Sequence, residues 1–362
     1  MPDNTVPRVL IMAGGTGGHV FPALAVAANL KESGVILSWL GTRNGIETKL
    51  VPPKDIPLNF LDVEGIRGRG FGALARAPLL LSTSVIQSLK VINEFKPDVV
   101  LGMGGFASGP GAVAARIKGI PIVIHEQNTI AGTTNRIVSK FANSVMEGFP
   151  GALPGGYWCG NPVRTEITML QEPEKRLVSR KGAINLLVLG GSRGAKTINE
   201  IVPSALAMID SKLRPNIIHQ AGISNADMTR AIYAALSIEA SVRPFIDAMD
   251  EAYGWADFVI CRSGALTVSE LACVGLGSIL IPFPHAIDDH QTANARWLMD
   301  VGAAVVHQEA DLTPNLLKDV LLEVALKPDK RLNMAIAARK LAKRNASDEL
   351  ATACLEFANV PA

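Results

Sequence analysis

Two apolar stretches in this chain each break into a glycine-rich turn and then a helical pattern, and this pairing constrains the fold most. The first is Arg8-Val-Leu-Ile-Met-Ala13, followed by Gly14-Gly-Thr-Gly-Gly-His19. The second is Ile184-Asn-Leu-Leu-Val-Leu189, followed by Gly190-Gly-Ser-Arg-Gly-Ala195. Strands that are apolar throughout belong in a parallel sheet covered on both faces. The correspondence continues downstream. Asp98-Val-Val-Leu-Gly-Met-Gly-Gly105 parallels Asp257-Phe-Val-Ile-Cys-Arg-Ser-Gly264, and Gly119-Ile-Pro-Ile-Val-Ile-His125 parallels Gly277-Ser-Ile-Leu-Ile-Pro-Phe-Pro-His285. Asp98 and His125 are 27 residues apart, and Asp257 and His285 are 28 apart. Two tandem segments with one order of strand ends predict two similar doubly wound α/β domains. No shorter period marks a solenoid.

A length of 362 residues fits two domains. Pro150, Pro154, Gly155, Gly156, Gly160 and Pro162 place the junction between Phe149 and Ile184, followed by a charged stretch, Glu172 to Lys181. Asp329 to Val360 reads as amphipathic helix, rich in Ala, Lys and Arg. Lys+Arg is 35 against Asp+Glu 33, a balance that argues against nucleic-acid binding by bulk charge. Cys159, Cys261, Cys273 and Cys354 form no C-x-x-C pair, which suits a reducing cytoplasm. No stretch approaches the roughly 20 apolar residues that span a bilayer, and nothing near Met1 resembles a signal peptide.

A glycine turn entering a helix presents unpaired N–H groups and the positive end of the helix dipole to an anion. Gly14 to His19 has no lysine for a Walker A loop and lacks G-x-G-x-x-G spacing. The next strand, Val35 to Leu40, ends in Gly41-Thr42 with no acid for a ribose, which counts against a nicotinamide cofactor. Arg262-Ser-Gly-Ala-Leu-Thr-Val-Ser-Glu270 is a better nucleotide site. There Gly264 admits close backbone approach, Ser263 and Thr267 offer hydroxyls to phosphate, and Glu270 can accept both ribose hydroxyls. The alternative is a helix capped by Ser263, with Glu270 on a solvated face.

Taken in order, Gly14-Gly-Thr-Gly-Gly-His19, His125-Glu-Gln-Asn128, Gly160-Asn-Pro-Val-Arg164, Gly190-Gly-Ser192 and Cys261-Arg-Ser-Gly-Ala-Leu-Thr-Val-Ser-Glu270 resemble the MurG family of glycosyltransferases. The resemblance covers nearly the whole chain. It implies a GT-B fold, with two Rossmann-like parallel-sheet domains facing an interdomain cleft. The N-terminal acceptor domain would span 1–163 with a returning helix, 341–362, and the UDP-GlcNAc-binding domain 164–340. The implied reaction moves N-acetylglucosamine, with inversion, from UDP-GlcNAc to the 4-hydroxyl of undecaprenyl-pyrophosphoryl-MurNAc-pentapeptide. Carried over by position, Thr16, Gly17 and Gly18 line the cleft, Asn128 contacts the donor sugar, and Arg164 and Ser192 face the diphosphate. The Ile246 backbone reads the uracil. Ala265, Leu266, Thr267, Val268 and Ser269 lie at the phosphate end of a helix, Glu270 takes the ribose, and Gln291 holds sugar hydroxyls.

An inverting transfer needs a base and a stabilised leaving diphosphate. His19, at a helix start where the dipole favours neutral imidazole, is the preferred base, and Glu126 is its rival or its orienting partner. No D-x-D occurs, and Asp288-Asp289-His290 reads as a solvated loop. Neither a metal nor an organic cofactor is therefore expected, and the diphosphate charge falls to backbone N–H groups, the helix dipole and Arg164. The cations of Gly65-Ile-Arg-Gly-Arg-Gly70, with Arg76, Leu79, Leu80, Leu81, Val85 and Ile86 between Leu74 and Ile86, suggest an interfacial anchor on anionic lipid; a core helix is the alternative. The family places such an enzyme peripherally on the cytoplasmic face of the bacterial inner membrane, among cell-wall and division proteins. Two other readings stay open: a UDP-GlcNAc epimerase of the same two-domain type, and a binding subunit without chemistry.

Overall fold

The computed structural model describes residues 6–62, 70–178, 180, 182–191 and 194–358, with the backbone alone for 70–79. It divides into two units: Met1–Arg164 with Lys343–Ala362, and Thr165–Ala342.

The first unit is built on a parallel sheet: β1 (Arg8–Met12), β2 (Ile36–Thr42), β3 (Leu58–Leu61), β4 (Val99–Gly102), β5 (Ile122–Glu126), β6 (Ser144–Glu147) and β7 (Tyr157–Trp158), in the order β3-β2-β1-β4-β5-β6-β7. Its all-apolar first strand is explained by two cores. Val9 and Ile11 pack with Val20, Leu30 and Leu350, while Leu10 and Met12 pack with Ala112 and Ala115 on the opposite face. The second unit repeats the plan with β8 (Asn185–Leu189), β9 (Asn216–Gln220), β10 (Ser241–Arg243), β11 (Phe258–Cys261), β12 (Ser278–Leu280) and β13 (Ala304–Val306). Its order is β10-β9-β8-β11-β12-β13, again parallel. Both orders reverse direction beside the first strand of the unit, where open α/β sheets hold their ligands beyond the strand C-termini.

The repeated aspartates have one structural task. Asp98 accepts the Arg8 N–H at 2.7 Å and Asp257 accepts the Asn185 N–H at 2.8 Å, each tying the start of β4 or β11 to the start of β1 or β8. The histidine correspondence does not hold. His125 is buried within β5, whereas β12 ends at Leu280 and His285 lies exposed beyond Pro282 and Pro284. Proline lacks the N–H that a ladder requires, so β12 cannot run on to that position.

The amphipathic C-terminal stretch forms two helices, Pro328–Lys340 and Ala346–Ala358. The first buries Met334, Ala335 and Ala338 in the second unit; the other buries Leu350, Ala351 and Cys354 against helix Gly17–Glu32. Two stripes that belong to different cores need a break between them. The returning chain passes Gly160 (φ +90°), where an added Cβ would lie 2.2 Å from the Cβ of Lys343. The Lys343 ammonium sits 4.4 Å over the Trp158 ring.

Candidate active site

In the first unit, the turns after β1 and β4 press together at the switch point. Gly105 has φ +81°, and a Cβ there would fall 2.3 Å from the Gly14 carbonyl oxygen, so only glycine fits. The Ser108 hydroxyl donates to the Met12 carbonyl at 2.6 Å. Glu47, fully buried, fastens the β1 turn to the end of β2: it accepts the Gly15 N–H at 3.0 Å and both the Thr42 N–H and hydroxyl at 2.8 Å. No acid follows Thr42 directly, yet this one, five residues on, turns back toward the glycines. Sequence reasoning passed over it because two of its three partners are main-chain groups. Helix Gly17–Glu32 then starts at Thr16 without a side-chain cap, and Thr16 and Gly18 are exposed.

His19, in the first turn of that helix, meets the end of β5. Its Nδ1 lies 2.8 Å from Gln127 Oε1. The Gln127 Nε2 donates to the His125 carbonyl and approaches His125 Nδ1, both at 3.0 Å, and His125 Nε2 lies 2.9 Å from the Gly160 carbonyl. Burial pushes the His125 imidazole down to about 4, so it stays neutral near pH 7. Asn161 donates to the Gln127 carbonyl at 3.0 Å. Glu126 is also buried, and its oxygens receive the Asn128 N–H (2.9 Å), Asn128 Nδ2 (3.2 Å), the Gly132 N–H (3.1 Å) and Asn135 Nδ2 (2.9 Å). This carboxylate shapes the loop that carries Asn128. Arg164, half-buried, closes the unit.

In the second unit, helix Ala265–Val274 starts after β11 with Gly264 as N-cap (φ −61°, ψ 144°) and no capping side chain. The N–H groups of Ala265, Leu266 and Thr267 precede the first intrahelical bond, which runs from Val268 to the Gly264 carbonyl at 3.0 Å. Ser263 neither caps the helix nor offers its hydroxyl to a phosphate. It is buried and donates to the Gln291 carbonyl at 2.8 Å, which leaves Thr267 as the hydroxyl of this turn and draws Gln291 to the helix start. Phe283 N–H donates to Gln291 Oε1 at 2.9 Å. Val268 and Ser269 are buried in the helix. Glu270 is buried too, rather than on a solvated face, and accepts the Tyr253 hydroxyl at 2.9 Å, a partner that sequence reasoning did not foresee. Ile246 donates its N–H to Gln220 Oε1 at 3.0 Å. Asp288 and Asp289 are exposed with left-handed φ. Ser192 and most of the Gly65–Gly70 loop lie outside the described residues, as do the side chains of Leu74, Arg76 and Leu79.

The structure thus gathers Thr16, Gly17, Gly18, His19, Glu126 and Asn128 in one unit, and Ala265–Glu270 with Gln291 in the other. Residues 9–147 match the glycosyltransferase family 28 N-terminal domain, and residues 185–350 match the family 28 C-terminal domain. The chain belongs to glycosyltransferase family 28. A relative from Marinobacter nauticus is named UDP-N-acetylglucosamine–N-acetylmuramyl-(pentapeptide) pyrophosphoryl-undecaprenol N-acetylglucosamine transferase; it is 47% identical, over 99% of this chain and 100% of its own. A relative from Pseudomonas fluorescens with the same name is 49% identical, over 97% of this chain and 99% of its own. The crystal structure of Acinetobacter baumannii MurG matches with a TM-score of 0.85 at 38% identity, over 97% of this chain and 99% of that one. The MurG resemblance and the GT-B class read from the motifs therefore hold. UDP-GlcNAc 2-epimerase from Neisseria meningitidis, at 13% identity and a TM-score of 0.65, shares the fold alone.

Proposed function

We propose that this family 28 chain is an inverting transferase, moving N-acetylglucosamine from UDP-GlcNAc to the 4-hydroxyl of undecaprenyl-pyrophosphoryl-MurNAc-pentapeptide. The observation that carries the proposal is the 47–49% identity, over nearly the whole chain, to relatives named for that transfer. The site chemistry fits it. Two observations support His19 as the base: among the described residues nothing bonds its Nε2, whereas the four donors on Glu126 occupy the lone pairs a base would use. In this reading the leaving diphosphate is met by the N–H groups of Ala265–Thr267, the helix dipole and the Thr267 hydroxyl. Each charge-assisted hydrogen bond is worth about 1.5–3 kcal/mol. Tyr253 holds the Glu270 carboxylate for the ribose hydroxyls, and the proposed chemistry uses no metal. Given UDP-GlcNAc and a short-chain lipid-linked MurNAc-pentapeptide, the protein is expected to produce the disaccharide and UDP. A rearranged donor would mean an epimerase, and no product would mean a binder.

Such an acceptor is held in a bilayer, and no helix among the described residues is long and apolar enough to cross one. The proposed contact is the first unit, at the cytoplasmic face of the inner membrane and beside the cell-wall and division machinery. Leu80, Leu81 and Ile86 are exposed on helix Gly70–Phe95. Helix Ser108–Ile117, packed beside it, exposes Val113 and Ile117 next to Arg116, with exposed Lys118 just beyond its end. Apolar side chains among cations bind anionic lipid surfaces. The double variant Leu80→Glu/Leu81→Glu is expected to lose co-sedimentation with vesicles containing anionic lipid while keeping its melting temperature. Unchanged binding would remove this patch from consideration.

A further inference from the structure

We infer that Gln127 is a positioning residue whose side-chain amide fixes the His19 ring as the Nδ1–H tautomer, leaving Nε2 as the proton acceptor. The inference rests on the reading of His19 as the base. It follows from a hydrogen-bond chain whose polarity is set at both ends by groups that can only accept. At one end, His125 Nε2 faces the Gly160 carbonyl at 2.9 Å, so that nitrogen carries the hydrogen and His125 Nδ1 bears a lone pair. At the other, the Gln127 nitrogen faces the His125 carbonyl at 3.0 Å, which fixes which end of the amide is NH2. The same NH2 meets the Nδ1 lone pair of His125 at 3.0 Å, so the two assignments agree. Gln127 Oε1 is thereby turned to His19 Nδ1 at 2.8 Å, and an amide oxygen can only accept, so His19 must be protonated there.

The arrangement is built into the core. His125 and Gln127 are 0% and 1% exposed, so water does not compete for these bonds. The neutrality that burial imposes on His125 keeps the chain from reversing, since a second proton on that ring would turn the amide over. Gly104 (φ +91°) supplies the space: a Cβ there would lie 2.9 Å from His19 Cε1 and Nδ1. In the transfer step the acceptor hydroxyl proton passes to His19 Nε2, the oxygen bonds to the sugar carbon, and the bond to the UDP oxygen breaks. The imidazolium so formed keeps its Nδ1–H on Gln127. The orienting group is a neutral amide rather than a carboxylate, as in Cys-His-Asn sites.

The test uses the full chain with 15N-labelled histidine. Two-bond nitrogen–proton correlation on the unmodified protein is expected to show His19 as the Nδ1–H tautomer; an Nε2–H pattern would overturn the inference with no variant needed. In Gln127→Met, the His19 pattern is expected to move to Nε2–H, and kcat to fall about 10–100-fold with KM for UDP-GlcNAc within about two-fold. A tautomer that does not move, or that moves while kcat is unchanged, overturns it. His19→Gln separates the premise. If that variant turns over normally, the base reading fails, whereas an inactive His19→Gln beside a fully active Gln127→Met sinks only the role of Gln127.

Discussion

Replacing His19 with alanine is expected to lower turnover about 10³-fold, within the range that positioned general bases contribute. The melting temperature and the affinity for UDP-GlcNAc should stay close to those of the unmodified protein, because the ring is half-buried and, among the described residues, its hydrogen bond is to Gln127. Glu126→Gln should also lose activity, by a different route. Its new NH2 group would face main-chain and asparagine donors that now bond to a carboxylate oxygen. Each buried donor left without a partner costs about 1–3 kcal/mol, so that variant melts earlier. Single-turnover rates alongside melting curves separate the two effects. Retained turnover in His19→Ala with a stable, inactive Glu126→Gln would transfer the base to Glu126.

The largest loss of stability is expected from Glu47→Ala. The substitution strips partners from the Gly15 N–H, the Thr42 N–H and the Thr42 hydroxyl, and leaves a void against Gly14, Gly41 and Gly45. Three unsatisfied donors at about 1–3 kcal/mol each, partly relieved by entering water, amount to about 3–5 kcal/mol. For a unit of this size that corresponds to a drop in melting temperature of roughly 10 °C. Activity should vanish with it, since the loosened turn carries Thr16–His19. Urea unfolding followed in the first unit checks this; a shift below about 1 kcal/mol would mean that the carboxylate is dispensable.

The sheet plan was legible because its signals are local and doubled. An apolar strand followed by glycines says "buried parallel strand, tight turn" wherever it occurs, and Asp98 and Asp257 repeat because each ties the same two strand starts. The helix start at Ala265 was equally plain. What stayed hidden depends on contacts between residues distant in the chain. Nothing in Ser263 announces that its hydroxyl is consumed by the Gln291 carbonyl 28 positions away. Tyr253 gives no sign of its bond to Glu270. Gln127 stood inside the His125–Asn128 motif, but its task appears only when the 108-residue interval to His19 is closed by the fold. The break between Lys340 and Ala346 came from the family resemblance, which starts a returning helix at 341; periodicity alone reports that a stretch is amphipathic, not which core receives each half.

Because Leu350, Ala351 and Cys354 complete the core around Val20 and Leu30, the first unit is a discontinuous domain. During synthesis its opening 164 residues must wait for the 178 of the other unit, 165–342, before their final helix emerges. At about 5–20 residues per second the delay is roughly 10–40 s. Over that interval the apolar face of helix Gly17–Glu32 lacks its cover of Leu350, Ala351 and Cys354, and the second unit has the chance to mature first.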